Sequence, residues 1–304
     1  MDIGSYNVQL DSVISSLNGE KFSTIPSVLA ELLRLARDPM TEANDLASLC
    51  EKDISSSSRI LKAANSVYFG RRLDQPKVTT LQDAIVRVGF RIAQEIILSS
   101  TLSAIMLAHD SILDYSAIGL WKHSIAVGIS NRIIYKKVFG VTQSIDPYLV
   151  GLLHDMGIAI EHQMLFYKGF ADAIQQRYSK GSDLYTEENL VIGFSHESIG
   201  AAAAQAWNFP DYLVEVIGHH HSYDPVKNQH HHLLHINRVS EWICYFMSVG
   251  YSDFSKAHAE LLSDSQKVLG LTREHIQQIS SELKAEMECF ENLGWFSTAH
   301  QSVA

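Results

Sequence analysis

Fifteen histidines stand in a chain of 304 residues, and their neighbours separate those that could do chemistry from those that need do none. A His-Asp dipeptide occurs twice, at His109-Asp110 and His154-Asp155. The first lies in a polar stretch, whereas the second sits inside Val150-Gly151-Leu152-Leu153-His154-Asp155-Met156-Gly157-Ile158, an apolar segment that should be buried. An ionised carboxylate there costs several kcal/mol in desolvation unless it is paired, hydrogen-bonded or bound to a cation. Asp155 therefore needs partners.

Candidate partners are His123 in Trp121-Lys122-His123-Ser124, His196 in Phe194-Ser195-His196-Glu197, His220 and His221 in the run His219-His220-His221, and Asn237 in His235-Ile236-Asn237-Arg238. Imidazole nitrogens around a shared carboxylate are what a hydrolytic transition-metal centre requires, since they hold the cation and leave positions open for water. A carboxylate bridging two cations would lower the pKa of a bound water and create a hydroxide nucleophile. Each piece also has a bland alternative: His123 as a satisfied core residue, Ser195-His196-Glu197 as a helix start, the triple histidine as a solvated loop. His231, His232 and His235 have helical spacing that suits a surface zinc, but no acidic or cysteine partner is near, and an exposed face is the better reading.

Apolar residues recur at three- and four-residue spacing over long stretches, and only six prolines and seventeen glycines interrupt them. The pattern predicts an all-α protein. Helices are expected from Ile25-Pro26 with Thr24 as cap, over 41–50 and 55–64, over 81–107 with a hinge near Gly89, and over 118–139, 147–164, 169–178, 187–207, 212–217, 231–250 and 273–293. Asn65-Ser66, following the 55–64 helix, reads as a structural corner whose amide caps exposed carbonyls. The expected organisation is an N-terminal helical lobe over 1–115, a second lobe over 116–262 carrying the His/Asp cluster, and a C-terminal helical extension over 263–304.

Composition excludes several function classes. With 24 Lys+Arg against 34 Asp+Glu the net charge is -10, which repels a phosphate backbone and argues against nucleic-acid binding. Three cysteines, Cys50, Cys244 and Cys289, offer neither a disulfide framework nor a CxxC metal motif. The first twenty residues lack the basic and apolar regions of a signal peptide. The longest apolar run, Trp242 to Val249, is far shorter than the roughly 20 residues that span a bilayer. A cytoplasmic protein without membrane association is expected.

The order His123, His154-Asp155, His196, His220-His221 resembles the ligand order of the HD superfamily of metal-dependent phosphohydrolases. More specifically the chain resembles the HDOD family, the HD-related output domain of bacterial signalling, through Ile25-Pro26-Ser27-Val28, Leu61 to Gly70, Leu81 to Gly89, Gly151 to Gly157, and Ile199-Gly200 through Trp207, Pro210 and His220-His221. These segments cover most of residues 22–250. The resemblance implies a two-lobed helical HDOD architecture with an HD-like core. It also implies a divalent cation (Fe, Mn, Zn or Mg) held by His123, His154, Asp155, His196, His220, His221 and Asn237.

Departures from the catalytic relatives shape the expectation for function. Asn237 stands where HD hydrolases close the site with an aspartate. Ile158 replaces the lysine that follows the His-Asp pair in cyclic di-GMP phosphodiesterases, Gly119 cannot act as their additional acidic ligand, and no Gly-Tyr-Pro follows His221. No catalytic residue is assigned. The resemblance implies a regulatory module with a degenerate or weak metal site, acting through contacts with a signalling protein in trans. The alternative is an active phosphohydrolase acting on a nucleotide or phosphodiester, and a third reading is a sensor that binds a nucleotide without cleaving it.

Overall fold

A computed structural model describes residues 10–17, 31–32, 34–35, 38, 40–51, 54–69, 76–106, 111–140, 145–222, 230–251, 253, 257–292 and 294–296. The proline-led segment at Ile25-Pro26, the dipeptide His109-Asp110 and residues 223–229 lie outside the described residues. Regular structure among the described residues is helical, with one isolated bridge between Ile112 and Tyr115. In chain order the helices are α1 (Leu10–Leu17), α2 (Ala43–Cys50), α3 (Ile54–Ala64), α4 (Leu81–Val88) and α5 (Phe90–Met106). They are followed by α6 (Ala117–Phe139), α7 (Pro147–Leu153), α8 (Met156–Leu165), α9 (Phe170–Lys180) and α10 (Leu184–Val191). The remainder are α11 (His196–Ala206), α12 (Asp211–His219), α13 (His231–Phe246), α14 (Ala257–Leu269) and α15 (Arg273–Asn292).

Contacts divide the chain into two units, one of 27–104 with 284–304 and the other of 1–26 with 105–283. The division is discontinuous in sequence.

The smaller unit is built on α2, α3 and α4 around Leu46, Ile60, Ala63, Ala64, Ala84 and Ile85. Thr80 caps α4 by accepting from the Asp83 amide at 3.2 Å. Gly89, at φ 87°, separates α4 from α5, where the sequence places a hinge. Asn65 makes the expected corner with its side chain: Nδ2 donates to the carbonyls of Leu61 (2.9 Å) and Val78 (2.8 Å), and Oδ1 accepts from the Val78 amide (2.9 Å). The returning segment is thereby clamped to the end of α3. Because these three bonds tie two stretches of chain together, Asn65→Ala is expected to cost about 1–3 kcal/mol, measured by chemical denaturation. A loss of less than about 0.5 kcal/mol would show that water replaces the clamp.

The larger unit surrounds α6, whose buried residues occur on every face, the signature of a central helix. It is crossed closely by α7 because two glycines meet there. A Cβ on Gly151 would come within 2.5 Å of the Gly128 nitrogen, and one on Gly128 within 2.8 Å of the Tyr148 carbonyl oxygen. Asp146 caps α7 by accepting from the amides of Tyr148 (3.1 Å) and Leu149 (3.2 Å), and Pro147 opens its first turn.

Two expected helices are each two. The pattern over 147–164 breaks into α7 and α8 at His154-Asp155, with Asp155 at φ -95°, ψ 15°. No glycine or proline causes this. The carbonyl of Gly151, which would accept the Asp155 amide in a continuing helix, lies 2.7 Å from the imidazole Nδ1 of His154, so a local side-chain bond competes with the helix. The pattern over 187–207 breaks at Gly193, with φ 101°, and α11 starts after Ser195. Both breaks fall beside residues expected to bind metal.

Candidate metal centre

Six of the seven sequence-predicted residues converge on one place in the larger unit. His123 comes from α6, His154 and Asp155 from the α7–α8 joint, His196 from the first position of α11, and His220 and His221 from the end of α12. Asp155 lies between two sets of imidazoles. Its Oδ2 is 3.1 Å from His154 Nε2 and 3.7 Å from His123 Nε2, whereas its Oδ1 is 3.3 Å from His220 Nε2 and 3.9 Å from His196 Nε2. His196 and His220 approach each other at 3.3 Å through Nε2. His221 joins the Oδ1 set, and Asp155 belongs to both.

These separations fit a metal. Two donors each about 2.1 Å from a tetrahedral cation stand roughly 3.4 Å apart. Three of the imidazoles also have their far nitrogen engaged, as metal-ligating histidines usually do. His154 Nδ1 meets the Gly151 carbonyl at 2.7 Å, His220 Nδ1 the Ile217 carbonyl at 3.0 Å, and His196 Nδ1 the Glu188 carboxylate at 2.6 Å. A carbonyl can only accept, so Nδ1 of His154 and His220 carries the proton and Nε2 is left facing Asp155. His123 Nδ1 has no such support. The donors suit Fe, Mn or Zn better than Mg, which prefers an all-oxygen shell.

The electrostatics follow from burial. Desolvation pushes His123 down to about 3, an effect that Asp155 only partly offsets, and the ring is neutral. Desolvation also works against charge on His154 and His220, but the hydrogen bonds and charge of Asp155, with Glu241 and for His220 also Glu197, outweigh it and raise both. Burial would raise Asp155; His154 and His220 together instead hold it well below the usual carboxylate range. Glu161 and Glu188 are pushed well above theirs by burial, Glu161 further by Glu188 itself.

Asn237 is the seventh expected residue, and its amide is turned to other work. Oδ1 accepts from Asn131 Nδ2 at 2.9 Å, and Nδ2 donates to Glu241 Oε1 at 2.6 Å. The supporting acids were not legible as site residues: Glu188 behind His196, Glu197 accepting from the His221 amide, and Glu241 one turn beyond Asn237 on α13. Each would read as a solvated helix face, although the i,i+4 spacing of Glu241 from Asn237 on a helix with apolar neighbours was a usable signal. His231, His232 and His235 do not form a further set of three within metal-binding distance among the described residues.

The sequence matches the HDOD domain over residues 22–223, two thirds of its length. The chain belongs to the HDOD family. All six converging residues of this HDOD protein lie inside the matched segment, and Asn237 and Glu241 lie beyond it. An uncharacterized protein of Treponema pallidum (strain Nichols) is 23% identical over 265 residues, which are 83% of the chain and 48% of that relative. The HDOD chain thus spans about half the length of that relative.

Solved structures share its fold. An HDOD domain protein of unknown function from Geobacter sulfurreducens superposes with TM-score 0.71 at 18% identity, covering 95% of this chain and 100% of that one. A candidate signal transduction protein from Marinobacter aquaeolei VT8 gives 0.70 at 20% identity over 98% and 69%. A candidate phosphohydrolase from Shewanella amazonensis SB2B gives 0.65 at 19% over 97% and 99%. The HDOD fold is all-helical in this chain, and no described helix is long and apolar enough to cross a membrane.

Proposed function

We propose that this HDOD protein is a signalling module that acts on a protein partner in trans, its His/Asp cluster serving as an internal metal brace and not as a hydrolytic centre. The observation that carries this reading is burial. His123, His154, Asp155, His196 and His220 are exposed by 2%, 1%, 5%, 0% and 3%, with His221 alone of the six partly exposed, whereas hydrolysis needs an open coordination position and room beside it for a phosphoryl group. A cation on these side chains would cross-link α6, the α7–α8 joint, α11 and α12, much as structural metals stabilise small domains.

Two further features support it. At Gly119 a Cβ would come within 2.6 Å of Ser116 Oγ and 3.2 Å of the Tyr251 nitrogen, so an acidic side chain at that position would have to displace Ser116. Ile158, where cyclic di-GMP phosphodiesterases carry lysine, is fully buried and offers no cation to a phosphate.

The placement of Asp155 between two imidazole sets favours a second reading, an active phosphohydrolase with a bridged metal pair. Untagged protein loaded in turn with Fe, Mn and Zn, and incubated with a broad nucleotide panel and a generic phosphodiester, separates the two. The regulatory reading expects no turnover above that of Asp155→Ala. Turnover that disappears in Asp155→Ala would establish the hydrolase instead.

A further inference from the structure

Resting on the metal-centre reading, we infer that Glu241 is a ligand of the centre beside His154, its carboxylate moving in from just outside the two sets of mutually close donors, and that Asn237 and Asn131 are its positioning residues. Glu241 Oε1 lies 3.7 Å from His154 Nε2, the same separation that relates His123 Nε2 to Asp155 Oδ2. It is also close to the roughly 3.4 Å expected of two donors on one tetrahedral cation.

The carboxylate is aimed there by a relay of amides. Asn131 of α6 donates to Asn237 Oδ1, which leaves Asn237 Nδ2 to donate to Glu241 Oε1 at 2.6 Å. Because a carboxylate only accepts, this orders both amides in one orientation. Asn131 and Asn237 are fully buried and Glu241 is 7% exposed, so the relay is protected from competing water.

The arrangement also answers a shortage of charge. The His123/His154 side otherwise contains a share of one carboxylate, that of Asp155, and the affinity of a site for a divalent cation rises with the number of charged ligands. Asn237 brings no charge, yet it delivers one from the next turn of α13.

Calorimetric titration of Mn2+ into metal-free, untagged protein tests this, with wild type, Glu241→Gln and Asn237→Asp/Glu241→Gln compared. Losing a member of a ligand shell or its support weakens metal binding roughly 10–100-fold. Glu241→Gln is expected to show that loss, and the double variant, which returns a carboxylate to α13 one turn away, to recover most of it. Wild-type affinity and stoichiometry in Glu241→Gln would overturn the assignment and leave the Asp155 centre standing, with Glu241 a partner of His154 alone. No binding by wild type would overturn the centre and this assignment together. If Glu241→Gln does not unfold cooperatively, Glu241→Asp, which keeps the charge and withdraws the oxygen, carries the same expectation of weakened binding.

Discussion

Metal-free Asp155→Asn protein is expected to be about 3–5 kcal/mol less stable than wild type near pH 6, the usual cost of removing one partner from a buried ion pair. Asp155 stands 3.1 Å from His154 Nε2 and 3.3 Å from His220 Nε2, and it is the main reason both imidazoles hold a proton despite desolvation. The amide of asparagine leaves those protons without a counter-charge. The pH dependence follows from the directions of the shifts. His154 and His220 are raised above 6.5, so their contribution is complete below 6.5 and fades as pH rises through the raised values. Asp155 is held well below 3.8, so its contribution is present above 3.8 and fades as pH falls through the depressed value. The gap between wild type and variant should therefore be widest from about pH 4 to 6.5. Urea denaturation in the presence of a chelator across pH 4–9 measures it. A gap below about 1 kcal/mol, or one that does not change with pH, would mean that the carboxylate and imidazoles are not coupled as described.

The second large effect is expected at Gly157. A Cβ there would overlap the carbonyl oxygen of His196 and fall 2.7 Å from its carbonyl carbon and 2.9 Å from its Cα. All three are backbone atoms at the first turn of α11, so no side-chain rotation relieves the clash. Gly200 completes the crossing: a Cβ on it would be 2.8 Å from Ile217 Cγ2 and 3.4 Å from the Gly157 nitrogen. Gly157→Ala must push α8 and α11 apart, and overpacking of this kind costs about 3 kcal/mol or more when backbone has to move. The displacement carries His196 away from Asp155, so metal affinity should fall with stability. Denaturation midpoints and metal content of Gly157→Ala check the two effects separately. Near-wild-type values for both would show that the two helices yield without strain.

Much of the centre was legible in the sequence because burial and residue type conflicted. An aspartate between Leu153 and Met156 in an apolar segment demanded partners, and the histidines that could supply them lay within other helical patterns or just beyond them. The breaks that aim these residues were harder to see. His154-Asp155 contains no glycine or proline, and the helix stops there through a bond between an imidazole and a carbonyl, which periodicity does not register. Glu188 and Glu241 escaped for the opposite reason: an acid on a helix normally marks solvent, and their burial depends on which helices pack over them. Asn65 was legible because its chemistry is local at one end and asks for a carbonyl at the other.

Whether Asp155 holds a transition metal between two sets of histidines is settled by elemental analysis of untagged wild type and Asp155→Ala, each exchanged into metal-free buffer after purification. Stoichiometric Fe, Mn or Zn is expected in wild type, and its loss in a folded Asp155→Ala. Metal-free wild type, or equal metal in both proteins from a site such as the histidines at 230–232, would contradict a centre built on Asp155.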